Sequence, residues 1–375
     1  MRNLSDTIAR LTALRSLPGG GAPAPDRLSD LATFGSNPGA LRARTYVPKG
    51  LKADAPLVVV LHGCTQNAAG YDAGSGWSQL ADRHGFALLF PEQTRANNPN
   101  LCFNWFQPED IRRDAGEALS IRQMIAAMVT AHAIDPARIF VTGLSAGGAM
   151  TSVMLATYPE LFAGGAIIAG LPYGSASNMP QAFDRMRGHG GPDDAALAAL
   201  VRGASAHEGP WPILSVWHGS ADATVSPANA DAIVAQWRLL HGVDARPSRS
   251  DIVDTYPHHV WCDRTGRAVI EAYSITGMAH GTPLATDGED AVGEARAHML
   301  EAHISSTRHI AAFWGLTGAF AGEAAEAETT TSHAASLPTR GAIPLHARRE
   351  AAPPHAAAGV GKVIEDALRA AGLMR

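Results

Sequence analysis

The chain has no run of 18 apolar residues, few charges (17% Asp, Glu, Lys and Arg) and only three cysteines in 375 residues. Each shortage removes a class of function. Without a long apolar run, no segment is suited to cross a bilayer as a helix. The first residues, MRNLSDTIARLTALRSLPGGG, carry a polar residue every few positions instead of the continuous apolar stretch of a secretory leader, so a cytoplasmic protein is expected. A net charge of −5, with no run of Lys and Arg interleaved with aromatics, offers nothing to neutralise a phosphate backbone, and no nucleic-acid partner is expected. Cys64, Cys102 and Cys262 include no C-x-x-C pair. Their small odd number speaks against a disulfide scaffold and a zinc site, and leaves room for one structural pair and a free thiol.

What is present is a globular core. With 46% hydrophobic residues the chain can fill one large domain or two small ones. Between about Leu41 and Leu316, short β-branched runs alternate with longer helical patterns. APLVVVLHG (Ala55 to Gly63), GFALLFPE (Gly85 to Glu92), RIFVTG (Arg138 to Gly143), GAIIAG (Gly165 to Gly170), WPILSVWHG (Trp211 to Gly219) and RAVIEAYSITG (Arg267 to Gly277) read as strands. Residues Ala115 to Ile134 and Ser226 to Gly242 read as helices, the second begun by a Ser226 cap with Pro227 in its first turn. Strands apolar on both faces and separated by helices predict an α/β fold, a mostly parallel sheet covered on both sides. Residues 178–210 interrupt the alternation and predict a small helical insertion over the site.

The two ends differ from this middle. Residues 1–40 are expected to form an amphipathic helix (Leu4, Ile8, Leu11, Leu14) and a linker. Residues 317–358, rich in Ala, Glu, Thr, Pro and His, predict a disordered linker. Residues 359–375 place Val360, Val363, Ile364, Ala367, Leu368 and Ala371 at helical spacing, an apolar face suited to docking on protein or to adhesion on a hydrophobic granule.

The run RIFVTGLSAGGAM passes from strand residues through G-x-S-x-G into a helical pattern. A serine on a tight strand-to-helix turn projects its hydroxyl outward, glycines at 143 and 147 let the backbone arms pass, and the helix aims its free N–H groups at the same point. Ser145 is therefore the candidate nucleophile. It needs a base and a carboxylate to orient that base. Loops after the later strands supply Asp222, in SADATV, and His280, in GMAHGTP, and the order Ser, Asp, His is that of an α/β-hydrolase. His258 and His259 precede the last strand and are placed at its opposite end. His62 and His218 read as local structural histidines, while Asp254 and Asp287 fall on the wrong sides of the last strand and of His280. An oxyanion hole needs two N–H donors: Ala146, which follows the nucleophile, and Cys64, where Gly63 lets the backbone approach.

LHGCTQN, CFNWF, GLSAGGAM, WHGSADATV and GMAHGTP, in this order, resemble the polyhydroxybutyrate depolymerase family of esterases, relatives of feruloyl and acetylxylan esterases. The resemblance covers roughly residues 41–316. It implies the same triad and oxyanion donors, an acyl-enzyme mechanism on ester or polyester substrates, no metal or organic cofactor, and a cleft lined by Asn104 and Trp105. Trp105 also reads as a core aromatic beside a cysteine loop. A feruloyl or acetylxylan esterase is the alternative the resemblance implies, and a catalytically silent binding module on the same fold is the reading from another class. Strand order puts Cys64 and Cys102 on adjacent loops, so they are expected to meet, and to bond under oxidising conditions.

Overall fold

Strands in which every residue is buried can only lie inside a layer covered on both faces, and four of them build the centre of this molecule. The computed structural model describes residues 26–317. Along the chain run β1 (Ser29–Asp30), β2 (Arg42–Tyr46), β3 (Ala55–Leu61), α1 (Ala68–Ser75), α2 (Trp77–His84), β4 (Ala87–Glu92), α3 (Gly116–His132), β5 (Ile134–Leu144) and α4 (Ala146–Thr157). Then follow β6 (Gly164–Ile168), α5 (Met179–Met186), α6 (Asp194–Arg202), β7 (Ile213–Gly219), α7 (Ala228–His241), β8 (Arg249–Val253), β9 (Tyr256–Cys262), β10 (Ala268–Ile275), β11 (Thr282–Leu284), β12 (Met299–Glu301) and α8 (Ser306–Phe313). In the main sheet the fully buried strands are β3, β4, β6 and β7.

The main sheet has the order β1-β2-β4-β3-β5-β6-β7-β10-β9-β8. Its six central strands, β4 to β10 in that order, pair in parallel, and antiparallel strands flank them on both sides. The chain leaves β3 for β4 on one side, then crosses back to β5 on the other. Such a reversal opens a crevice at the carboxyl ends of the two strands where it occurs, and here those ends lead into Cys64 and Ser145. Helix α4, which follows β5, is buried at all 12 of its residues. A helix apolar all round belongs inside a core.

Several boundaries differ from the sequence reading. The fold starts before residue 41: β1 pairs with β2, Leu28 joins the core and Asn37 is tied to Leu41 and Gln123. The helix read over Ala115 to Ile134 stops at His132, because Ala133 turns left-handed with φ 48° and releases Ile134 into β5. Ser226 is no side-chain cap. Pro227 occupies the cap position of α7, while the Ser226 amide donates to Met186 O at 2.7 Å and its carbonyl accepts from Asn229 N at 2.9 Å. His258 and His259 lie beside the carboxyl half of β10, opposite Tyr273 and Ala272, because β9 runs antiparallel to it. The insertion is helical, as α5 and α6. The expected N-terminal helix, the linker from 318 on and the C-terminal helix lie outside the described residues.

Candidate active site

Ser145 sits at φ 58°, ψ −118°, between β5 and α4, and its side chain does not cap the helix. That backbone conformation is sparsely populated for a residue with a Cβ and costs on the order of 1–3 kcal/mol. Two constraints hold it there. The Ser145 amide donates to Ile168 O at 2.9 Å, anchoring the turn to the neighbouring strand. Gly143 and Gly147 face each other across the turn, and a Cβ on Gly147 would run into the carbonyl oxygens of Leu61 and His62. The start of α4 therefore lies directly against the end of β3.

The loop after β3 is shaped from several sides. The fully buried His62 ring accepts from Gln93 N at Nε2 (3.1 Å), so its proton sits on Nδ1 and is donated to Gly63 O at 2.8 Å. Burial pushes this imidazole down from its ordinary value, in keeping with a neutral ring. Gly63 N donates to Gln66 Oε1 at 2.8 Å, and Thr65 N donates to Asn100 O at 2.7 Å. Cys64 is joined to Cys102 by a disulfide, with Cα atoms 4.2 Å apart, so the expected contact is a bond. Among the described residues, the backbone amides of Cys64 and Ala146 donate no hydrogen bond. Two free N–H groups beside a serine hydroxyl can hold an anionic oxygen.

Asp222 and His280 meet. His280 Nδ1 lies 2.7 Å from Asp222 Oδ2, which fixes the ring with its proton on Nδ1 and leaves Nε2 able to take one. Asp222 Oδ1 accepts from Thr224 N (2.8 Å) and Val225 N (2.9 Å), so the carboxylate also closes its own turn. Burial raises this carboxyl, but hydrogen bonds from His218 and His280, the charge of His280 and the Val225 amide outweigh it and hold the group well below the carboxylate range. The loops after β7 and β10 are tied together: Ser220 N donates to Ile275 O and Ala221 N to Met278 O, both at 3.0 Å. Ser145 Oγ has no hydrogen-bond partner among the described residues, and such contacts tighten when substrate enters.

The rival residues have other partners. His258 is held between Asp251 (2.8 Å) and Glu271 (3.3 Å), and Asp254 accepts from His309 at 3.1 Å. Asp287 is exposed. His218, which reads as local and structural, instead reaches the Asp222 carboxylate; the four-residue step from a strand-end histidine to the loop aspartate is its only signal in the sequence. His298 has no such signal. Its ring packs edge-on against His280, and its Nδ1–H donates to His280 O at 3.2 Å.

Trp105 belongs to a small apolar cluster separate from the main core. It packs with Phe106, with Ala146 and Ala149 of α4, with Val225 of the Asp222 loop, and with Met179, Ala182 and Met186 of the insertion. The aromatic thus flanks the Ser145 turn while staying largely covered. The Asn104 amide is held at both of its polar atoms: Nδ2 donates to Asp110 at 3.0 Å and Oδ1 accepts from Asn98 at 3.0 Å. It frames the loop that carries Trp105.

Behind that loop lies Glu117, fully buried, a residue that nothing in its helical sequence pattern singles out. It accepts from Gln93 Nε2 (2.6 Å), Asn97 Nδ2 (3.1 Å) and Asn104 N (2.9 Å). Burial and the neighbouring Asp110 charge push its carboxyl up to about 8 against those three donors. An unfolded glutamate titrates near 4.3, so between these values the native state binds more protons than the unfolded one, and this contribution to stability is lost as pH rises through about 8. Glu117→Gln carries no titrating group. Its denaturation midpoint is expected to fall less than the wild type's between pH 5 and about 8.5. Equal slopes would mean that Glu117 is ionised throughout.

Among the described residues, no group of three or more His, Cys, Asp or Glu is placed to hold a metal ion, and no helix is long and apolar enough to cross a membrane. A family model described as Esterase PHB depolymerase matches residues 41–253. The chain is 49% identical over 293 residues to poly(3-hydroxyalkanoate) depolymerase C of Paucimonas lemoignei, covering 78% of this chain and 70% of that protein. It is 30% identical to an acetylxylan esterase of Coprinopsis cinerea, over 70% of this chain and 72% of the relative. Among solved structures, an acetyl xylan esterase from Aspergillus awamori superposes with a TM-score of 0.66 at 24% identity, over 77% of this chain and 99% of that one, a likeness of fold.

Proposed function

We propose, for a chain that belongs to the esterase PHB depolymerase family and is a carboxylic ester hydrolase, that Ser145, His280 and Asp222 carry hydrolysis through an acyl-enzyme on 3-hydroxyalkanoate esters and polyesters. The observation that carries this reading is the His280–Asp222 hydrogen bond, formed on the same edge of the sheet as the strained Ser145 turn. Ser145 Oγ attacks the ester carbonyl as His280 Nε2 takes its proton. The carbonyl oxygen, now negative, is received by the amides of Cys64 and Ala146, and the alcohol leaves with the proton from His280. Water, activated by the same ring, then releases the acid from the serine.

The acyl group rests beside Met179 and Met186 of the insertion, backed by Trp105 and Phe106, an apolar wall that suits an aliphatic chain. The higher identity to the polyhydroxyalkanoate enzyme supports polyester over feruloyl or acetylxylan esters. The Cys64–Cys102 bond favours work in an oxidising compartment over the cytoplasm expected from the first residues. The sequence pattern of residues 359–375 supports docking on protein or adhesion to a hydrophobic granule.

One experiment tests substrate and adhesion together. The full chain and a version ending at Phe320 are given amorphous poly(3-hydroxybutyrate), soluble 3-hydroxybutyrate oligomers, methyl ferulate and acetylated xylan. Hydroxybutyrate substrates are expected to turn over at least about tenfold faster than the other two. The shortened chain is expected to keep its rate on oligomers and to lose binding to the polymer. Preference for ferulate or xylan would reassign the substrate. Equal loss on every substrate would place the terminal segment in the fold.

A further inference from the structure

His218 is the next-to-last residue of β7, and its side chain is only 3% exposed. Nε2 lies 2.9 Å from Val225 O and 3.3 Å from Asp222 Oδ2. Both are acceptors, so Nε2 carries a ring proton. Nδ1 is buried with no hydrogen-bond partner. An orphaned buried ring nitrogen costs stability that an apolar ring of the same shape would not, so packing alone is a poor reason for a histidine here.

We propose that His218 is a positioning residue for hydrolysis, its Nε2–H fixing the Asp222 carboxylate so that Oδ2 stays aimed at His280; this rests on the triad assigned above. The 222–225 turn is held from both ends. Asp222 Oδ1 takes the amides of Thr224 and Val225, and the Val225 carbonyl is taken by His218. The same N–H shared with Oδ2 leaves the carboxylate no freedom to rotate away from His280. An imidazole N–H is suited to this task, because an arginine would bind the carboxylate as an ion pair and weaken its pull on the His280 imidazolium. The ionisable groups around His218 are Asp222 on its own turn, His280 on the next loop and Asp231 on α7.

The test compares three substitutions using p-nitrophenyl butyrate. His218→Phe keeps the ring and removes the donor. His218→Gln places an amide N–H near the Nε2 position, and His218→Asn is too short to reach it. His218→Phe and His218→Asn are expected to lower kcat about 10- to 100-fold with little change in KM, and His218→Gln to recover most of it. The acid limb of the kcat/KM profile is expected to move in the Phe and Asn variants, which a packing role would not cause. In an Asp222→Asn background His218→Phe should cost nothing more. If the Phe chain fails to fold, the Gln and Asn pair decides alone. Equal kcat in the Gln and Asn variants, or losses that add to Asp222→Asn, overturn the positioning role. Asp222→Asn with near-normal kcat overturns the triad instead, so the two failures are distinct.

Discussion

Ser145→Ala is expected to lower ester hydrolysis by on the order of 10⁴- to 10⁶-fold, leaving only what the oxyanion donors and substrate binding provide. The fold should not notice the change. The hydroxyl has no hydrogen-bond partner among the described residues and caps nothing, so its removal leaves no group unsatisfied. Alanine also keeps the Cβ, and with it the strain of φ 58°. Ser145→Gly should be equally inactive yet melt at a higher temperature than Ser145→Ala, because glycine adopts that backbone without strain. Rates on p-nitrophenyl butyrate, labelling by a fluorophosphonate probe and paired melting curves check all three statements. Activity within about tenfold of the original in Ser145→Ala would sink the nucleophile assignment.

The candidate nucleophile is legible in the sequence because a few residues dictate the site's geometry. GLSAGG fixes a strand, a turn and a helix locally, and the parallel order of the apolar strands carries the loops with Asp222 and His280 to the same edge. What the sequence hides depends on contacts between distant segments. β8 reads RSDIV with charged and exposed positions, as an edge strand does, so no alternation announces it. Its partner β9 turns His258 towards the carboxyl half of β10, reversing the end at which linear order places it. Residues 26–40 show no core pattern of their own and are captured by Tyr46, Asp82 and Gln123.

The polar frame around the site is hidden for the same reason. Glu117 in a helix reads as a solvent-facing charge, and only the loop from Gln93 to Asp110 folding over it makes it an internal post. Gln66 looks like any loop amide until its Oε1 is found holding Gly63 N, next to the free Cys64 amide. Residue type tells which groups can do chemistry. The supporting contacts are set by which loops meet above the strand ends, and composition holds no record of that.

Asp222→Asn is expected to cost about 10⁴ in kcat while leaving the turn intact, because the defect is one of tautomer. Asparagine can still accept from Thr224 N and Val225 N through its oxygen, which leaves the NH₂ group facing His280 Nδ1. Nδ1 must then accept, so the ring proton moves to Nε2, and that atom can no longer take the proton of Ser145. His218 would also face a donor and keep only Val225 O. Nitrogen-15 spectra of histidine-labelled protein should show the His280 tautomer reversed. Stability supplies an independent reading. The native Asp222 carboxyl is held low, so in acid the unfolded chain binds the extra proton and the wild type loses this contribution as pH falls below about 4. The Asn variant has no such group, and its stability is expected to fall less between about pH 5 and 2.5. A variant with kcat within about tenfold of wild type and an unchanged acid slope would remove Asp222 from the mechanism.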